Sequence, residues 1–314
     1  MKILVVGGAG YVGGAVTDLL IEKRCQTRVF DALLYEEAYR KPVDFVYGDV
    51  RRPETLMPHL HWADAVVWLA ALVGDAACAL HPDISVAINQ EAVRWLAANF
   101  PRRIVFLSTC SVYGAQDGLL DESSPTRPLS VYAVTKLAAE KYLAGGNSLI
   151  FRLGTLFGVG DLFSRIRLDL VVNTVTVRAY QTGKITVYGG DQYRPLLHVK
   201  DAARAIVDNL ETPATGIYNL ARENIRIGDL AEKLKHHFPG LVIEQTSRNF
   251  EDTRNYRVST EKATKELGFQ PIYSIDDGIE EIRSLLESHR LKDISNPRYT
   301  NQKFLSLYNT HIGD

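Results

Sequence analysis

The chain has 314 residues, with 36 Lys plus Arg against 37 Asp plus Glu, a formal charge of −1. That balance leaves no electrostatic footprint for nucleic acid or an anionic membrane surface, and 46% hydrophobic with 23% charged residues excludes disorder as the dominant state. Cys25, Cys78 and Cys110 are too few and too scattered for a disulfide framework or a metal cluster, so no metal is expected and a reducing cytoplasm fits best. No stretch approaches the ~18 apolar residues needed to cross a bilayer. Met1–Val6 runs straight into Gly7 without a signal-peptide pattern and reads as a first strand. At this length one large or two unequal domains are expected.

In chain order, short apolar runs predict strands at Ile3–Val6, Thr27–Phe30, Phe45–Tyr47, Ala65–Ala70, Ile104–Ser108 and Ser148–Arg152. Between them lie helical patterns, such as Val12, Val16, Leu19, Leu20 and Lys23 at three- and four-residue spacing. Strand–helix alternation predicts an α/β fold, a doubly wound parallel sheet with helices on both faces. After Gly158 the pattern changes. A long helix is expected over Arg165–Tyr180, a strand over Ile185–Tyr188, a helix over Val199–Leu210 and a buried strand over Ile217–Leu220. Helices follow at Ile227–His237, Thr260–Leu267 and Ile275–Ser288, then a polar tail from Asp293. The expected division is a dinucleotide domain over 1–158 and 198–226, and a smaller, mixed α/β substrate domain over 159–197 and 227–314.

Gly7-Gly8-Ala9-Gly10-Tyr11-Val12-Gly13 follows a predicted strand and opens a predicted helix, the context in which G-x-G-x-x-G binds a dinucleotide. The glycines permit a tight turn and close approach to a pyrophosphate, which then meets the helix N-terminus. A glycine-rich turn without a ligand is the bland alternative. Asp31 weighs against it: it ends the second strand, where a carboxylate accepts from ribose hydroxyls and repels a 2′-phosphate, so NAD is favoured over NADP. Asp49, in Gly48-Asp49-Val50 after the third strand, is placed by the adenine or is simply turn chemistry.

Tyr132-Ala133-Val134-Thr135-Lys136 sets a phenol and an ammonium on one helix face. A Tyr of pKa about 10 needs roughly 4 kcal/mol of preferential phenolate stabilisation to drop by ~3 units. Lys136 and a positive nicotinamide ring are expected to supply it, making Tyr132 a general base. A solvated Tyr–Lys pair is the other reading of the spacing alone.

Together Gly7–Gly13, Asp31, Ser108-Thr109-Cys110-Ser111-Val112-Tyr113-Gly114, Tyr132–Lys136 and Arg152–Gly158 resemble the extended short-chain dehydrogenase/reductases, and more narrowly their NAD-dependent sugar-nucleotide epimerase/dehydratase family. The likeness runs to about residue 290. It implies a Rossmann domain with a C-terminal substrate domain, NAD as cofactor, a nucleotide-diphosphate sugar as substrate and a homodimer.

The resemblance makes Thr109 the hydroxyl beside Tyr132 and sets Gly7, Gly10, Tyr11, Val12, Gly13, Asp31, Asp49, Val50, Leu69, Ala70, Ala71, Tyr132 and Lys136 against the cofactor. Asn89 matches a helix Asn of the family and either supports this network or is an ordinary solvated residue. The dehydratases carry Asp-Glu after the Thr; Cys110 and Ser111 stand there, which disfavours loss of water. Cys110 without a paired His reads as a small strand-end residue. Leu72 replaces a Lys that many epimerases have, and Thr155 replaces an Asn. With Ala71-Leu72-Val73-Gly74, Arg165–Asn173 and His198-Val199-Lys200-Asp201, these departures resemble a branch that includes GDP-heptose 4-dehydrogenases.

Arg194, in Gly190-Asp191-Gln192-Tyr193-Arg194-Pro195, matches a family Arg that binds the substrate diphosphate, chemistry a guanidinium fork suits. Thr109, Ser111, Tyr113, Thr155, Arg165, Arg167, Asn173 and Arg254 complete the substrate-side candidates, surface ion pairing being the alternative for these arginines and pairing with Asp169 a further one for Arg165 and Arg167. His198 is expected to be structural, and Asp201 to cap the helix after it. The expected activity is NAD-dependent oxidation at C4 of a nucleotide-linked sugar: first a sugar-nucleotide 4-epimerase, next a 4-dehydrogenase or 4-ketoreductase of the GDP-heptose type without epimerisation. A noncatalytic NAD sensor or scaffold remains as a different class, opposed by the retained Thr109, Tyr132 and Lys136.

Overall fold

The computed structural model describes residues 1–161, 165–246 and 255–307. The first part runs β1 (Lys2–Val6), α1 (Tyr11–Glu22), β2 (Gln26–Asp31), β3 (Asp44–Tyr47), α2 (Pro53–Trp62), β4 (Ala65–Trp68), α3 (Asp75–Leu80), α4 (Pro82–Val86), a π-helical turn (Ala87–Glu91) and α5 (Ala92–Asn99). β5 (Arg103–Thr109), a 3₁₀ turn (Cys110–Tyr113), β6 (Ala115–Leu120), α6 (Val131–Leu143), β7 (Ser148–Leu153) and β8 (Thr155–Phe157) follow. Then come α7 (Val171–Thr182), β9 (Lys184–Tyr188), β10 (Tyr193–His198), α8 (Val199–Asp208), β11 (Gly216–Leu220), β12 (Glu223–Arg226) and α9 (Ile227–His237). The chain closes with β13 (Val242–Thr246), β14 (Asn255–Val258), α10 (Glu261–Leu267), α11 (Ile275–Glu287), a 3₁₀ turn (Pro297–Tyr299) and α12 (Asn301–Leu307).

Seven strands form one parallel sheet in the order β11-β7-β5-β4-β1-β2-β3. Successive side chains of a strand point to opposite faces, and here both faces are covered. Ile3, Val5, Val29, Val67, Val105 and Phe151 pack under α1 and α8; Leu4, Val6, Phe30, Val66, Trp68 and Phe106 pack under α2, α5 and α6. That explains why these strands read as continuous apolar runs; each fully buried Leu or Phe contributes about 1.5–3 kcal/mol. The chain goes from β1 to β2 on one side and returns to β4 on the other. The crevice at this switch point, beyond the carboxyl ends of the strands, is where such sheets bind ligands.

A second apolar cluster, built on Phe157, Val172, Ile185, Leu196, Leu230 and Ile279, joins α7, α9 and α11 to the smaller sheets β12-β10-β8 and β13-β9. His198 ends β10 at a tight joint. Its Nδ1 accepts from the Lys200 amide (3.1 Å), its Nε2 meets Glu281 Oε2 (2.9 Å), and Gly158 passes so close at φ +85° that a Cβ there would lie 2.0 Å from the ring. His198 is therefore structural, as expected, and it also caps α8. Asp201 does not cap: it sits buried inside α8, accepting from the Ile272 and Tyr273 amides at 3.0 Å.

Two segments depart from the pattern reading. Residues 165–170 are not helical, and α7 begins only at Val171. Ile166, Leu168 and Leu170 alternate with Arg165, Arg167 and Asp169, a period of two that belongs to extended chain. The region after Asp293 is not a tail either. Its turn and α12 return to the nucleotide side, where Leu305 is buried against Leu72, Ala77 and Cys78. Among the described residues no helix is long and apolar enough to cross a membrane, and no group of three or more His, Cys, Asp or Glu is placed to hold a metal ion.

Candidate active site

One cleft of about 1860 Å³ runs from the glycine-rich turn to β10. That is roughly twice the upper range for a drug-sized ligand, room for two long ligands end to end. At its nucleotide end Gly7 has φ +86° and donates to Phe30 O (2.8 Å); a Cβ there would lie 2.4 Å from the Ala70 nitrogen. A Cβ on Gly13 would lie 2.5 Å from Gly8 O, so the turn and the first turn of α1 pack without room for side chains. Gly10 is the N-cap of α1 and no side chain caps it, which leaves the helix end facing the cleft.

Asp31 ties this wall together: Oδ2 accepts from the Ala9 amide (2.9 Å) and Oδ1 from the Leu33 amide (2.7 Å). Burial pushes its carboxyl up, while those two N–H groups and Arg165 pull it back down. Asp49, Val50, Leu69, Ala70 and Ala71 also line the cleft. Asp49 is paired with Arg51 at 2.5 Å, a contact that holds its carboxylate low despite partial burial. Tyr11 differs from expectation in detail. Its side chain is buried and its hydroxyl donates to Gly158 O (2.7 Å), so the ring braces the joint below the turn.

The reactive groups meet at mid-cleft. Ser130 caps α6, accepting from the Ala133 amide (3.2 Å) and donating to Asp75 (2.6 Å), and this fixes where the helix starts. Tyr132, Lys136 and Glu140 then recur every four residues on the face toward β5. Thr109 ends β5; its hydroxyl accepts from the Ser111 amide (3.1 Å) and lies beside the Tyr132 phenol.

Lys136 is 3% exposed, with Nζ 4.1 Å from the centre of the Phe106 ring. Burial lowers its pKa to about 7, against the opposing pull of Glu140 and Cys78. The Tyr132 phenol moves upward, not downward. Burial dominates, Cys78 and Asp75 add to it, and Arg167 with the Thr109 hydroxyl only partly offsets them. In the chain by itself, burial therefore outweighs the groups that would favour the phenolate.

Beneath these groups lies a buried network that sequence reasoning missed. Arg152 grips Glu140 through Nε (3.0 Å) and Nη2 (2.7 Å), and Ser108 donates to the same carboxylate. Its one local signal was Glu140 four residues beyond Lys136. Asn89 is 1% exposed, in the π-helical turn, exchanging two 2.9 Å bonds with the Leu72 backbone and reaching the Thr135 hydroxyl. It supports the loop below the catalytic helix, and the solvated reading is overturned. Cys110 is fully buried and donates to Arg152 O (3.2 Å), with its thiol pushed far up by burial.

On the far wall Ser111, Thr155, Arg165 and Arg194 all line the cleft, with Arg194 5% exposed on β10. Tyr113 and Asn173 do not. The Tyr113 hydroxyl is enclosed by Asp121 O, Asn219 Oδ1 and Arg152 Nη1, and Asn173 holds the Gly158 amide (2.9 Å) and Arg167 O (2.7 Å). Tyr113 is spent on buried side chains and one carbonyl, and Asn173 on buried backbone, and neither lines the cleft. Arg254 lies outside the described residues.

Residues 3–221 match the model of the NAD dependent epimerase/dehydratase family. The chain belongs to this family. Its relatives include a UDP-glucose 4-epimerase of Corynebacterium glutamicum, 27% identical over 304 residues that span 86% of this chain and 91% of the relative. A dTDP-glucose 4,6-dehydratase of Shigella flexneri is 26% identical, spanning 89% and 91% of the two chains. Among solved structures, a UDP-glucose 4-epimerase of Thermotoga maritima with UDP-glucose superposes with a TM-score of 0.80 at 21% identity, covering 92% of this chain and 99% of that one. These likenesses establish the Rossmann-type fold and an NAD-dependent family member. The cleft fits that cofactor: Cβ-free glycines, an uncapped helix end and the Asp31 carboxylate line its nucleotide end.

Proposed function

We propose that the protein oxidises and re-reduces C4 of a nucleotide-diphosphate sugar, acting as a sugar-nucleotide 4-epimerase. The observation that carries this reading is the position of Thr109, Tyr132 and Lys136. They sit in one cleft, between the glycine-turn wall and the wall that holds Arg194. Bound NAD supplies the redox partner and a positive ring.

Tyr132 takes the proton of the sugar's C4 hydroxyl, and the Thr109 hydroxyl beside it holds the same oxygen in place. Lys136, one turn further along α6, adds positive charge on the same face when it is protonated. Gly7, Gly10, Gly13 and Asp31 would hold the cofactor; Arg194 and Thr155 face the diphosphate of the sugar nucleotide. Cys110 and Ser111 follow Thr109 in place of a carboxylate pair, and Cys110 is sealed in the core, so these two positions offer no carboxylate acid and base for removing water.

A second reading, net oxidation or reduction at C4 without epimerisation, is favoured by one feature. Leu72 is 1% exposed and anchors α12, so the position where many epimerases present a Lys is spent on packing.

Incubation with UDP-, GDP-, dTDP- and CDP-sugars, followed by mass and sugar configuration of the products, tests the proposal. The expected product has unchanged mass and inverted C4. A product lighter by one water, or a keto sugar as sole product, contradicts it.

A further inference from the structure

The C-terminal segment crosses the cleft where the glycine turn and Asp31 form its floor. Asn301 is 3% exposed and joins three walls: Nδ2 donates to Val73 O (2.6 Å) after β4, its amide donates to Asp169 Oδ2 (2.8 Å), and Oδ1 accepts from Arg165. Leu168 donates to Tyr299 O (2.9 Å), and Arg298 reaches Glu37 after β2 (2.6 Å). Phe304 packs on Tyr35 with ring centres 4.9 Å apart. The Arg165 guanidinium lies 3.3 Å above that same Tyr35 ring.

Arg165 is 5% exposed and lines the cleft, yet its Nε has no hydrogen-bond partner among the described residues. The same holds for Nε of Arg298, which also lines the cleft. Arg167 is committed to Asp169 at 2.9 Å. A buried N–H of a charged group without an acceptor costs free energy unless a ligand completes it. Arg165 shares the cleft with the uncapped helix end, and a guanidinium there suits a doubly charged anion.

We propose that residues 165–169 and 298–305 form a clasp over the diphosphate of the dinucleotide, with Arg165 as its charged contact opposite the glycine turn. This reassigns Arg165 from the sugar nucleotide, where the sequence pattern put it, to the cofactor. It rests on the NAD reading and deepens it. A clasp of this kind slows cofactor escape between the two halves of a reaction that must oxidise and then restore one sugar.

The test uses full-length protein loaded with a fluorescent etheno-NAD and chased with excess NAD. Arg165→Met and, separately, Asn301→Ala are each expected to speed release about tenfold or more, the loss of one charge-assisted contact or of the strap's anchor. Phe304→Ala, at the rim, is expected to speed release by a smaller factor. Release at the wild-type rate in both Arg165→Met and Asn301→Ala overturns the clasp. Weakened binding of UDP or GDP by Arg165→Met, with NAD release unchanged, returns Arg165 to the sugar nucleotide. If the wild-type protein does not retain the analogue at all, the cofactor reading itself fails, a result distinct from either. Should Arg165→Met fail to fold, Asn301→Ala decides alone.

Discussion

Replacing Tyr132 with Phe is expected to lower turnover by about 10²–10⁴-fold while leaving NAD affinity within about twofold. The change deletes one oxygen, the atom proposed to accept the proton, and keeps the ring that packs beside Leu72 and Cys78. An interaction made only in the transition state shows as loss of kcat, not as weaker binding. The Thr109 hydroxyl keeps its bond from the Ser111 amide, so the end of β5 stays in place. Steady-state kinetics with a fluorescence titration of NAD check both halves. Turnover within tenfold of wild type would show that Tyr132 is not the base.

Lys136→Met is expected to abolish turnover and, in the cofactor-free protein, to increase stability by about 1–3 kcal/mol at pH 6. Burial lowers Lys136 from the ordinary 10.5 to about 7. Below pH 7 both the folded and the unfolded chains carry the charge, so the folded protein bears the full cost of enclosing it. Between pH 7 and 10.5 the folded Lys136 is neutral while the unfolded one still binds a proton, and the cost fades as pH rises. Methionine has no such dependence. Urea titrations at pH 6 and pH 9 should therefore show a larger advantage for the variant at pH 6. A variant less stable than wild type, or an advantage that does not change with pH, contradicts the assigned burial of charge.

Much of this was legible because local rules and tertiary demands agree. Strands covered on both faces read as apolar runs, the glycines of the first turn have no room for Cβ atoms, and the Tyr132–Lys136 spacing places both groups on one face. What failed had physical causes. Residues 165–170 carry a period of two that abuts the helical period of α7, and the longer pattern absorbed the shorter. The segment after Asp293 is polar because it buries little beyond Leu305 and Asn301 and works through hydrogen bonds to other elements. Glu140 and Arg152 lie on a helix and a strand twelve residues apart, and no local periodicity reveals a buried ion pair. Tyr113 and Asn173 have side chains suited to a ligand, but the fold uses them to satisfy buried partners. Residue type near a motif shows what a side chain can do; burial decides what it does.

In the proposed 4-epimerase one site takes the C4 hydrogen and gives it back to the same sugar. A nucleotide sugar deuterated at C4, drawn from the class the product screen identifies, tests this most directly. Deuterium retained at C4 of the inverted product is the predicted result. Deuterium lost from the sugar and recovered in free dinucleotide would contradict it.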